Sequence, residues 1–86
     1  METSQTMNIS SILVVVPPRE LASTLQRLAA LPGVEAHHSD AATGRIVATL
    51  EAATIEDEQA GLAGIQALPH VIQAEMACHY VGADPA

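Results

Sequence analysis

Eighty-six residues make one small domain, and with no Phe, no Trp and one Tyr its core is built from Ile, Leu, Val, Ala and Met. Ten acidic residues against three arginines give a formal net charge of −7, which repels phosphate backbones and sets nucleic acid aside as a partner. A single Cys excludes an internal disulfide, and no apolar run approaches the roughly 18 residues that span a bilayer, so membrane insertion is set aside as well.

Residues 1–8 are polar and read as a flexible N-terminus. They carry neither the basic region nor the small-residue cleavage site of a secretory signal, so a cytoplasmic location is expected. Residues 9–16, dense in Ile and Val, predict the first strand. Pro17-Pro18 closes it, and Pro18 suits the first position of a helix over about 18–31, where its missing N–H costs nothing. Leu21, Leu25 and Leu28 recur at helical spacing and form the stripe that packs on the sheet. Pro32-Gly33 stops that helix.

Residues 34–40 predict the second strand, and the segment from Asp40 to Gly44 a hairpin turn with Gly44 at positive φ. The third strand, 45–51, alternates Ile46, Ala48 and Leu50 with Val47, Thr49 and Glu51. Thr54 caps the second helix, which runs to about Leu68. Glu56, Asp57 and Glu58 in its first turn complement the helix dipole, a solvated cluster that needs no active site to explain it. Gly61 and Gly64 inside that helix each cost roughly 1 kcal/mol relative to Ala, and mark either a close backbone approach or looseness. Residues 71–81 predict the last strand, and 82–86 a flexible tail beyond the 9–81 domain.

The chain also says nearly the same thing twice. Ala30-Leu31-Pro32-Gly33-Val34 ends one half and Ala67-Leu68-Pro69-His70-Val71 the other, each at the junction of a helix and a strand. Two β-α-β units of this kind predict an α+β, ferredoxin-like βαββαβ sandwich, with a four-stranded antiparallel sheet and two helices on one of its faces. Period-two alternation then assigns the faces. Ile12, Val14, Val16, Ile46, Ala48, Leu50, Ile72, Ala74, Met76 and Cys78 point to the helices. The open face takes Ser11, Leu13, Val15, Glu35, His37, Val47, Thr49, Gln73, Glu75, Ala77 and His79, with aliphatics at the centre and acids and His towards the edges.

Chemistry is sparse. His37 and His38, and likewise Cys78 and His79, are neighbours on strands and should face opposite ways. No C-x-x-C or H-x-x-x-H spacing is present, so no metal is expected. Cys78 reads as core-facing and inert, and Ser10, Ser11 and Ser39 lie on strands without a nucleophile elbow. Gly61-x-x-Gly64 lacks the Lys of a phosphate loop. An enzyme is not expected, nor is any cofactor. RNA-binding domains of this topology stack bases on aromatic rings of the central strands, where this chain has Leu13, Val15, Val47 and Thr49.

The first strand Ile9-Ser10-Ser11-Ile12-Leu13-Val14, the helix opening Pro18-Arg19-Glu20 and the block from Ser39 to Ala52 resemble NapD proteins. Leu31-Pro32-Gly33-Val34-Glu35 and the run from Val71 to His79 extend the resemblance over about residues 9–80. What it implies is a ferredoxin-like chaperone in the cytoplasm for the catalytic subunit of a periplasmic nitrate reductase. Such a chaperone binds the subunit's twin-arginine signal peptide and holds back export until cofactor loading is complete. A twin-arginine peptide has a basic start and a moderately apolar segment that can form an amphipathic helix. The open face suits such a ligand through Ser11, Leu13, Val15, Glu35, His37, Val47, Thr49, Glu75 and His79. The domain itself is expected to be a monomer or weak homodimer. Two other readings share the topology: an ACT-like module that binds a small regulatory molecule, and a domain that self-associates through its sheet. The first usually has a Gly-containing turn after the first strand, where this chain has Pro17-Pro18.

Overall fold

In the computed structural model, which describes the backbone of residues 6–83 and the side chains of residues 8–77, every expected element forms. The order is β1 (Thr6–Val15), α1 (Leu21–Ala29), β2 (Val34–Asp40), β3 (Arg45–Ala52), α2 (Ile55–Gln66) and β4 (Gln73–Ala83), with a 3-10 turn at Pro18–Glu20 leading into α1. All strand pairs are antiparallel, in the order β2-β3-β1-β4. This is the ferredoxin-like arrangement, with sequence-distant β1 and β3 at the centre.

One face of the sheet is sealed. Ile12, Val14, Ile46 and Ala48 have no exposed surface and Leu50 has 2%, and Ile12, Val14, Ile46 and Leu50 pack with Leu21, Leu28 and Ile65 of the helices. The stripe on α1 is Leu21, Thr24 and Leu28, with Leu25 partly buried beside it. Covering each of these aliphatic side chains with a helix contributes about 1.5–3 kcal/mol, which is what holds the two layers together in the absence of aromatic rings.

The sequence repeat is a structural repeat. Leu31 N–H donates to the Leu28 carbonyl at 3.1 Å and Val34 N–H to the Leu31 carbonyl at 3.4 Å, while Leu68 and Val71 make the same bonds to Ile65 and Leu68 at 3.1 and 3.4 Å. Both helices stop short of the lengths read from the sequence because Leu31 and Leu68 precede Pro, which disfavours the α conformation there. The next residue turns left-handed in both copies, Gly33 at φ 77° and His70 at φ 68°. A Cβ on Gly33 would run into the Glu51 carbonyl oxygen, so the first copy requires Gly. After that turn β4 opens at Gln73, later than the Val71 expected, although Ile72 N–H already reaches the Val15 carbonyl at 2.8 Å.

Two expected core positions are not covered. Ile72, before the strand, is 68% exposed, and Met76, opposite Ile12, is 37% exposed. The second helix reaches Ala74 on β4, where Gln66 Nε2 donates to its carbonyl at 3.1 Å, but these two positions at the sheet's edge stay open to solvent. Strand pairing extends to Thr6 and Ala83, into the stretches read as flexible ends. Residues 1–5 and 84–86 lie outside the described ones.

Candidate functional site: the open face of the sheet

The register sets out the uncovered face in rows, read from β4 across β1 and β3 to β2. One row is Gln73, Val15, Arg45 and Asp40, and the next is Glu75, Leu13, Val47 and His38. A third brings Ser11 beside Thr49 and Thr49 beside Glu35, and a last one pairs Ile9 with Glu51. Leu13 and Val15 are half-buried and Val47 is 39% exposed, an aliphatic strip over which none of the described residues packs. Glu35, Glu51 and Glu75 are exposed around it. Side chains at a non-hydrogen-bonded or hydrogen-bonded pair lie within about 4.5–5.5 Å at Cβ, so each row is a contiguous surface.

Of the nine residues expected to bind, Ser11, Leu13, Val15, Glu35, Val47, Thr49 and Glu75 thus occupy one face. His37 joins them by a different route. The register of β2 slips between Ala36 and His38, leaving His37 as the extra residue of a β-bulge. Its Nε2 shares a 2.8 Å hydrogen bond with Thr49 Oγ1. The bulge also corrects the expectation that His37 and His38 face opposite ways, because His38 is now registered with Val47 on the same face. Alternation holds only while the ladder is regular, and a bulge resets it by one residue. Even so, no group of three or more metal-binding side chains forms among the described residues. A second slip in β4 pairs Ser11 with Cys78 and Ser10 with His79. The side chains of Cys78 and His79 lie outside the described ones.

Arg45, which extends the alternation of Val47, Thr49 and Glu51 by one step, is a face residue that the sequence reading left out, and Glu51 lies at the other end of the same strand. Together they give the face a polarity. Arg45 sits at the hairpin end of β3, and Glu51, near Glu35, at the opposite end. The hairpin itself is as expected: Gly44 has φ 76°, its N–H donates to the Asp40 carbonyl at 2.8 Å, and Asp40 Oδ1 accepts from the Ala42 N–H at 2.9 Å.

The acidic turn of α2 divides in two. Thr54 caps it, accepting the Asp57 N–H at 3.0 Å, and Glu56 and Asp57 are exposed. Glu58 is not solvated as expected. It is 2% exposed and accepts a hydrogen bond from Ser10 Oγ on β1, with Asn8 also buried. A carboxylate in the interior is tolerated only when hydrogen-bonded, and this one ties the second helix to the central strand.

Fold and site together define a small ferredoxin-like domain with one helix-covered face and one bare aliphatic face bordered by acids. The chain belongs to the NapD family, whose model, described as NapD protein, matches residues 7–82. Its fold is similar to the solution structure of the E. coli Tat proofreading chaperone protein NapD, with a TM-score of 0.81 at 22% sequence identity, covering 86% of this chain and 78% of that one. A comparison with curated proteins gives no significant match. Among the described residues no helix is long and apolar enough to cross a membrane.

Proposed function

We propose that the chain is a cytoplasmic, non-enzymatic chaperone. It binds the twin-arginine signal peptide of a periplasmic nitrate reductase catalytic subunit and delays export until the cofactors are loaded. Membership of the NapD family supports this reading, as does the naming of its E. coli structural relative as a Tat proofreading chaperone. The observation that carries it is the bare strip of Leu13, Val15 and Val47 bordered by Glu35, Glu51 and Glu75.

An amphipathic peptide helix presents an apolar side to such a strip and its arginines to the acids. Exposed ion pairs contribute only about 0–1 kcal/mol each, so affinity comes from apolar burial at roughly 25 cal/mol per Å². The acids set orientation and encounter rate. Because Arg45 repels cations at one end of β3, the peptide's arginines belong at the Glu35–Glu51 end. Ser11, Thr49 and His37 supply hydrogen-bonding groups beside the strip.

Calorimetric titration with a synthetic signal peptide of that subunit tests the reading. The expected result is a one-to-one complex of micromolar affinity or better, about −8 kcal/mol. Absence of heat together with an unchanged melting temperature would reject it in favour of a small-molecule regulatory or self-association role.

A further inference from the structure

On the helical side of the same sheet corner lies a second concavity, and its lining is apolar. A cavity of about 440 Å³ is formed where the turn after α1 meets α2, with Leu50, Leu31, Val34, Ala60 and Gly64 among its walls. Its size falls within the roughly 300–1,000 Å³ typical of ligand sites. Gly61 and Gly64 have opposite roles here. A Cβ on Gly61 would come within 2.8 Å of the Leu50 side chain, so that Gly is closely packed, whereas a Cβ on Gly64 would meet nothing within 4 Å. The space over Gly64 is therefore empty because the helix carries no side chain there.

Only Glu51 and Asp57 are charged among the lining residues, and both are exposed acids. A shallower hollow of about 270 Å³ on the open side is lined by Gly33, Val34, Glu35, Thr49 and Glu51. The two hollows share Gly33, Val34 and Glu51, so one concave, acid-bordered path runs from the open face over the end of β3 to the cavity.

We infer that this cavity receives the apolar residues that follow the arginines of the bound signal peptide. The inference rests on the chaperone reading above and extends its site. The apolar side of the peptide helix lies on the sheet strip, the arginines sit between Glu35 and Glu51, and the apolar side chains that follow them enter the groove above Leu50 and Gly64. Charge selects this occupant: the path offers acids to a cationic segment and an aliphatic pocket directly beyond it, and it disfavours acidic or uniformly polar peptides.

The test fills the groove from within. Gly64→Leu places an aliphatic side chain into the empty space, and Gly64→Ala gives a smaller filling; both replace a helix-interior Gly, so thermal melting should show no loss of stability. Two synthetic peptides are titrated calorimetrically, the full signal peptide and one truncated directly after the arginines. For the full peptide, Gly64→Leu should weaken affinity about tenfold and Gly64→Ala less. For the truncated peptide, wild type and both variants should bind alike. Undiminished affinity of Gly64→Leu for the full peptide overturns the groove assignment while leaving the chaperone reading standing. If wild type binds neither peptide, both fall.

Discussion

Val47 and Ser10 lie on neighbouring strands of the same sheet, yet they serve opposite sides of it. Val47, 39% exposed, has no packing role that a charge would disrupt, so Val47→Glu should leave the melting temperature within a few degrees of wild type. The same substitution puts a carboxylate at the centre of the aliphatic strip. Affinity for the signal peptide should drop at least tenfold in calorimetric titration; unchanged affinity with an intact fold would move the binding site elsewhere. Ser10 is fully buried and donates to the buried Glu58 carboxylate. Ser10→Ala removes a hydrogen bond to a buried carboxyl group, and should cost about 1–3 kcal/mol in urea unfolding. A loss below about 0.5 kcal/mol would show that this pair adds little to the junction of β1 and α2.

Element by element, the sequence was most legible where a local rule acts alone. The Thr54 cap, the Gly44 turn and the aliphatic alternation of β1 and β3 are each decided by residues a few positions apart, and each forms as read. The bulges in β2 and β4 were not legible, because a one-residue slip is settled by cross-strand fit, and nothing in Ala36, His37 and His38 announces it. The exposed Met76 was missed for a similar reason, since pattern tells which way a side chain points and not whether a helix reaches over it. Burial of Glu58 was hidden by its place in an acidic first turn, where solvation is the ordinary outcome. The two glycines of α2 could be separated only in three dimensions. Gly64→Ala should stabilise by about 1 kcal/mol through helix propensity alone. Gly61→Ala gains the same propensity but crowds Leu50, an overpacking worth about 1–3 kcal/mol the other way, so it should melt below Gly64→Ala. The reverse order would contradict the packing assigned to them.

At the scale of the whole molecule, a net charge of −7 on 86 residues makes the domain an electrostatic partner for basic peptides. Since the acids around the strip are exposed, their contribution is screened by salt, and peptide affinity should fall severalfold, with most of the loss in the association rate, between low and physiological ionic strength. No salt effect would remove the acids from the account. The open face must also be free: sedimentation at micromolar concentration should give a monomer or a weakly associating dimer, because a stable dimer sealing Leu13 and Val47 would leave no surface for a ligand. What most directly tests the central claim is an amide chemical-shift titration of the domain with the signal peptide. The account predicts the largest changes at Leu13, Val15, Val47 and Thr49 and at Glu35 on the adjoining edge. Changes that spare β1 and β3 altogether would contradict it.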